Sequence, residues 1–371
     1  MRANRLSLTR REAMTGLLGF GAACMFAPAP HQMAMAAEID ATFIFTNDVH
    51  ACLMYRGLSP NCQQEGKTDA NLRRHIAALN LIAERYWPVE INGVATGLAS
   101  AGERIATPLG VVVGGDMTDD GGGQVARPGE GTQLRQFSQR YQQGVGADRL
   151  HFPVYNGLGN HDLDQDGPPP HVDWYRRELR DYVELNHRQT VFYKPPVPVT
   201  NYDVPSDDYS WDWGGLHLVQ THRFAGDTSK GAISGLDWLK KDLSTYAGGG
   251  KPVILFQHYG WDAFSTENWD PQKRTFDDIG AGAAHWWSEN DRQALLSALD
   301  GYNVVGIFHG HEHETAMVYR QGDIDIFKPK AAFLGGFAIV RVTSGAMDVV
   351  LAEAAGAHGD IIFTNAFSKK I

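Results

Sequence analysis

Five stretches of this chain end an apolar run in side chains that can hold a cation. They are Phe43-Ile44-Phe45-Thr46-Asn47-Asp48-Val49-His50, Val111-Val112-Val113-Gly114-Gly115-Asp116, Val154 through Gly159-Asn160-His161-Asp162, Val253 through Gln257-His258, and Val304 through His309-Gly310-His311-Glu312-His313. An apolar run ending in glycine and a carboxylate is how a buried strand delivers a ligand to the C-terminal edge of a sheet. The glycines leave room for a metal or a phosphate to approach. Carboxylate oxygen with imidazole nitrogen suits a divalent ion, and an imidazole-rich mix suits a transition metal. Asp48, His50, Asp116, Asn160, His258, His311 and His313 are seven donors, too many for one tetrahedral ion. Shared between two ions with Asp116 bridging, they give four protein ligands each. Two metals about 3.5–4 Å apart clamp a phosphoryl group and hold a hydroxide for in-line attack. The residue pattern therefore points to a dinuclear hydrolase of phosphate esters.

Spacing supports the ligand reading. His311 and His313 are two apart, as are Asp48 and His50, so in an extended segment each pair points one way. A zinc helix would need histidines four apart with Glu after the first. His161 faces the substrate in this reading, as an acid or a charge stabiliser, with Asp162 fixing its orientation. Thr221 and His222 end a strand and are pocket candidates, a packing role being as compatible. Trp261 and Trp286 belong to a long Trp-, Gly- and Asp-rich stretch, 259–288, that suits a lid stacking on a ring or covering apolar substrate. His309 reads as packing behind the ligands.

The elements that must position these residues alternate along the chain. Strands are expected at 41–46, 110–114, 153–158, 216–221, 252–257 and 303–308. Helices are expected at 68–86, where Leu72, Ile76, Leu79 and Ala83 have helical spacing, and at 132–143, 173–186, 236–246 and 289–299. The Pro-rich 195–205 reads as loop, and 315–352 as strand-rich. Alternation followed by strands means α/β layers with paired sheets. Length alone would allow two domains, but a site drawn from residues 48 to 313 needs one.

Residues 1–36 read as an export signal, with 37–371 the mature domain. Arg2, Arg5, Arg10 and Arg11 precede an apolar, glycine-rich stretch from Met14 to Ala29, and Ala34-Met35-Ala36 offers a cleavage site. Thr9-Arg10-Arg11-Glu12-Ala13-Met14 resembles a twin-arginine signal, implying that export machinery as partner and a periplasmic or secreted protein; a general secretory signal is the alternative. The stretch is short for a membrane span, Gly21-Ala22-Ala23 before Cys24 is a poor lipidation site, and no stable span is expected in the mature form. Cleavage turns 33 basic and 43 acidic residues into 29 and 42, a net charge of −13. That surface repels polyanions, so a small phosphate ester and not long nucleic acid is the expected partner. Cys52 and Cys62 remain, a disulfide candidate in an oxidising compartment against the alternative of two buried thiols.

With all five blocks in order, the chain resembles the calcineurin-like metallophosphoesterase superfamily. The resemblance implies a four-layer αββα sandwich with two mixed sheets and a dimetal site at strand ends. It implies one metal on Asp48, His50, Asp116 and His313, a second on Asp116, Asn160, His258 and His311, and His161 as the catalytic histidine. Iron, manganese or zinc are the expected ions. Departures narrow the branch. Purple acid phosphatases have a ligand Tyr where Asp119 stands and lack the histidine matched by His50. Protein Ser/Thr phosphatases have Asp-Arg-Gly where Asp119-Asp120-Gly121 stands, and Gly-Asn-His-Glu where this chain has Asp162. Exported 5′-nucleotidases usually carry a second C-terminal domain, with no room for one after 313. Gly-Gly-Asp-Met-Thr-Asp with Gly-Asn-His-Asp looks more like the class III phosphodiesterase branch. A phosphodiester is therefore the first expectation, a monoester the second, and ligand capture without catalysis a third.

Overall fold

A computed structural model describes residues 38–54, 57–58, 60–119, 132–163, 174–262, 269–270, 275–276 and 287–371. Residues 1–36, expected to be an export signal, Trp286 and most of 259–288 lie outside the described residues. Residues Ala37–Ile371 form one compact unit.

Strand Asp40–Thr46 lies inside a six-stranded sheet and is buried from Ala41 onward. Val111–Val113 runs parallel beside it, and Val154–Asn156 parallel beside that. On its other side come Gly336–Thr343, Ala346–Ala355 and Asp360–Lys370, each antiparallel to the last. The second sheet has seven strands in the order Met317–Gln321, Ile324–Lys328, Asn303–Phe308, Pro252–Phe256, Leu216–Gln220, Tyr209–Trp213 and Asn201–Tyr202. Its centre is parallel and its edges antiparallel.

The sheets pack face to face through aromatic rings. Phe45 stacks on Phe256 with centroids 5.7 Å apart, and Phe43 meets Phe308 edge-on at 6.2 Å. Strand alternation then separates two cores. Leu218, Ile254, Phe256 and Phe308 face the first sheet. Val219, Val253, Leu255 and Ile307 face outward, onto Leu239, Leu243, Leu295 and Leu299 of helices Leu236–Tyr246 and Glu289–Leu299. Burial on both faces is why these strands read as unbroken apolar runs. Helices Asp69–Asn80 and Thr132–Tyr141 cover the first sheet with Leu72, Ile76, Leu79, Phe137 and Tyr141. Helix, sheet, sheet and helix make the four-layer sandwich.

Local chemistry sets the boundaries. Thr68 caps Asp69–Asn80 by accepting from Asn71 N at 3.3 Å, and Ser288 with Asp291 forms a capping box before Glu289–Leu299. The expected helix to 86 closes at Asn80, whose amide bonds Arg149 O and His151 N, and only a 3₁₀ turn, Ile82–Glu84, follows. The Pro-rich loop contains a two-residue edge strand, Asn201–Tyr202, where proline nearby is tolerated.

Candidate metal centre

All five donor loops leave the C-terminal ends of parallel strands, three from the first sheet and two from the second. The loops carrying Asp48 and Asp116 run side by side: Asp48 N donates to Gly115 O at 3.0 Å, His50 N to Asp116 O at 2.9 Å and Ala51 N to Met117 O at 3.0 Å. The expectation of extended segments with matched parity is corrected here. Asp48, His50, Asp116 and His311 have φ of 49°, 46°, 50° and 77°. The strands have already ended at Thr46, Val113 and Phe308, and left-handed turns aim the donors inward. Such backbone costs about 1–3 kcal/mol per residue and persists where surroundings over-determine it.

The seven donors converge. Asp48, His50, Asp116 and His313 offer ligand atoms within 4.8 Å of one another, and so do Asp116, His258 and His311. Asp116 belongs to both groups. Its Oδ2 lies 3.5 Å from His50 Nε2 and 3.1 Å from His258 Nε2. Asp48 Oδ1 lies 3.5 Å from His313 Nε2 and 3.8 Å from His50 Nε2. Asn160 Oδ1 completes the second group, 3.1 Å from His258 Nε2. The outer oxygens are anchored: Asp116 Oδ1 accepts from His161 N at 2.8 Å and Asp48 Oδ2 from His311 N at 2.9 Å. The remaining oxygens, Asp48 Oδ1 and Asp116 Oδ2, are buried and face the imidazole nitrogens of His50, His258 and His313.

The glycines serve this packing more than substrate approach. A Cβ on Gly159 would strike the Asp116 carboxylate, and one on Gly310 would strike that of Asp48. Gly115 has φ 114°, and a Cβ there would press on His258 Nδ1.

Charge follows from burial and neighbours. Burial alone would raise both aspartates, but the surrounding imidazoles outweigh it and hold Asp48 and Asp116 well below the usual carboxylate range. Burial alone would lower His50 and His258, yet Asp119 and Asp48 lift the first, and Asp116 the second, to about 9. Burial and His258 keep His311 well below the usual value, which leaves it a neutral imidazole able to ligate. The site demands positive charge, and a divalent cation would meet it by displacing imidazole protons. His50 and His258 turn Nδ1 away to Asp119 Oδ1 and Gly114 O, leaving Nε2 for the centre. Buried, ionised oxygens ringed by imidazole nitrogens fit metal ions.

His161 stands beside this cluster, its ring 4.7 Å from that of His50, and its Nδ1 donates to Asp119 O. Asp162 does not orient it, a correction to the sequence expectation. The buried Asp162 carboxylate accepts from Met117 N, Thr118 N and Gly159 N at 3.0 Å each, and from Thr118 Oγ1 at 2.8 Å. It buckles the loop after Asp116 to the loop carrying Asn160. Burial and Asp116 push its pKa up to about 6 against those four bonds.

The pocket candidates are corrected too. Thr221 is buried with its hydroxyl on Phe256 O at 3.2 Å. His222 accepts from Leu158 N at 3.0 Å and donates to Asp207 O at 2.7 Å, and burial lowers it to about 4. Trp261 is buried in the helix-side core against Trp287. His309 packs behind the ligands, with Nε2 2.7 Å from Tyr319 Oη. Cys52 and Cys62 are paired as a disulfide, Cα atoms 6.4 Å apart and within bridging range. Sequence reasoning gave Asp119 no role beyond its mismatch with other branches, although its place three residues after Asp116 keeps it in the same loop.

No helix among the described residues is long and apolar enough to cross a membrane. No curated protein matches the sequence. Solved structures do match in fold. A dimetal phosphatase from Danio rerio is 13% identical with TM-score 0.48, covering 89% of this chain and 98% of that one. The structure of PhoD is 10% identical with TM-score 0.50, covering 90% and 70%. A purple acid phosphatase from yellow lupin seeds is 13% identical with TM-score 0.46, covering 89% and 53%. Residues 41–315, which include every donor of the buried cluster, match the calcineurin-like phosphoesterase family, and the chain belongs to it.

Proposed function

We propose that this metal-dependent phosphoric ester hydrolase is exported and uses two divalent transition-metal ions, iron, manganese or zinc, with phosphodiesters as its preferred substrates. The observation that carries the two-ion reading is the sharing of Asp116 between two donor groups. Asp48, His50, His313 and Asp116 would hold one ion, and Asn160, His258, His311 and Asp116 the other. Bound there, the ions would supply Lewis-acid charge to the phosphoryl oxygens and lower the pKa of a nucleophilic water. Asp116 Oδ1 stays fixed by His161 N, so the shared carboxylate keeps its orientation. With its Nδ1 held by Asp119 O, His161 keeps Nε2 for the substrate, to protonate the leaving oxygen or stabilise the phosphoryl charge.

The diester preference rests on Gly-Gly-Asp-Met-Thr-Asp combined with Gly-Asn-His-Asp. Parallel assays on bis-p-nitrophenyl phosphate and p-nitrophenyl phosphate test it. Equal or better turnover of the diester supports it, and strong monoester preference reverses it. The exported reading rests on Arg10-Arg11 before the modest apolar stretch. Replacing both with Lys strands the precursor in the cytoplasm if the twin-arginine route is used; unchanged export contradicts that route.

A further inference from the structure

Lys67 and Asp119 lie outside the seven donors, yet they form the wall behind one of them. Asp119 Oδ1 accepts from His50 Nδ1 at 3.0 Å and from Lys67 Nζ at 2.7 Å. Lys67 is buried, its ammonium also 2.6 Å from Glu65 and 5.5 Å from the centre of the Phe333 ring. Both residues are tethered through their backbones. Lys67 N donates to Cys62 O at 2.8 Å, while Asp119 N reaches Gln133 Oε1 at 3.0 Å and Ala51 O at 3.1 Å. Cys52 Sγ and Cys62 Sγ each lie 3.3 Å from Asp119 Oδ2, so the cysteine pair backs the same carboxylate.

Two consequences follow for the cluster. With Nδ1 held by a carboxylate, His50 keeps its proton on that side when an ion displaces the other, and Nε2, the nitrogen facing Asp48 and Asp116, is the one left to ligate. Asp119 is also a carboxylate within ligand range of His50 and His161. A cation already occupies it, and that cation is Lys67. We propose that Lys67 and Asp119 act as one positioning pair: Asp119 selects Nε2 of His50 for the first metal, and Lys67 keeps Asp119 in that role and out of the ligand set. The inference rests on the dimetal reading of the site.

The test is chelator competition on metal-stripped full-length mature protein titrated with zinc alone, following both ions. Asp119→Asn keeps the shape and removes the ion pair; Lys67→Met keeps the length and removes the charge. Each should weaken one of the two ions about 10–100-fold and leave the other unchanged, as carboxylate partners of ligand histidines do. The double variant should be no weaker than the worse single one, because the residues act through one contact. Lys67→Arg, which keeps a cation beside Asp119, should restore tight binding, and it keeps the test open if a neutral variant fails to fold. Equal weakening of both ions, additive losses, or unchanged affinity in the variants overturns the pair alone. A wild-type protein that takes up no zinc overturns both the pair and the dimetal reading.

Discussion

Replacing Asp162 by Asn separates a structural role from a catalytic one. The native carboxylate takes four donors, two on each oxygen: Met117 N and Gly159 N on Oδ2, Thr118 N and Thr118 Oγ1 on Oδ1. An amide has one acceptor oxygen. Its better orientation keeps that oxygen on Met117 N and Gly159 N and turns the NH₂ toward Thr118. The Thr118 hydroxyl can rotate and accept, but Thr118 N–H loses its carboxylate acceptor, a loss of about 1–3 kcal/mol. The two retained bonds lose their ionised acceptor, and charge-assisted bonds are roughly twice as strong as neutral ones. Against this, the neutral amide removes repulsion from Asp116, one of the causes that push Asp162 up to about 6. The donors win, and the net loss should be about 2–4 kcal/mol. Urea unfolding of metal-free protein reads it, with metal content and turnover measured in parallel. Metal retention should weaken as well, because Met117 follows Asp116 directly. A variant with wild-type stability and metal content but much lower turnover would refute this reasoning and restore Asp162 as the partner of His161.

His161→Ala should retain both metals while activity falls roughly 10²–10⁴-fold, the usual worth of a positioned proton donor; metal loss in that variant would show His161 to be a ligand. His217 bridges Asp212 and Asp242 at 2.8 Å each, and although burial would lower its pKa, the two carboxylates raise it above the ordinary value. The folded value exceeds the unfolded one, so the stabilisation is complete below about pH 6.5 and disappears as pH rises through the folded value. Melting temperature scanned upward from about pH 6 should fall more steeply in the wild type than in His217→Gln, and parallel curves would contradict the assignment. Mass spectrometry of the unreduced protein should find Cys52 and Cys62 bridged, worth about 2–3 kcal/mol in the chain-entropy account; two alkylatable thiols with full activity would remove the bridge.

The donors were legible because a buried parallel strand advertises itself as an apolar run, and the residues just past its end are those that reach the site. Helices Leu236–Tyr246 and Glu289–Leu299 have the expected bounds, and the structure shows local features at their ends: Ser288 caps the second, and the glycines at 248–250 follow the first. What stayed hidden is what partners meet across loops. Asp162 looked like an orienting group because it adjoins His161, yet a short helical turn, Asn160–Leu163, sends its carboxylate to Met117 and Thr118. His222 looked accessible at a strand end, but a left-handed turn with φ 53° folds it under Leu158. Lys67 gave no signal, since nothing in its own neighbourhood of sequence announces Asp119.

In the proposed centre Asp116 joins two metal sites. Inductively coupled plasma analysis of purified, folded protein, wild type beside Asp116→Asn, measures it most directly. Two transition-metal ions per chain in the wild type, with at least one lost from the variant together with nearly all phosphoesterase turnover, is the predicted result. Two ions and a normal rate in Asp116→Asn, or a single ion in fully active wild-type protein, would contradict the account.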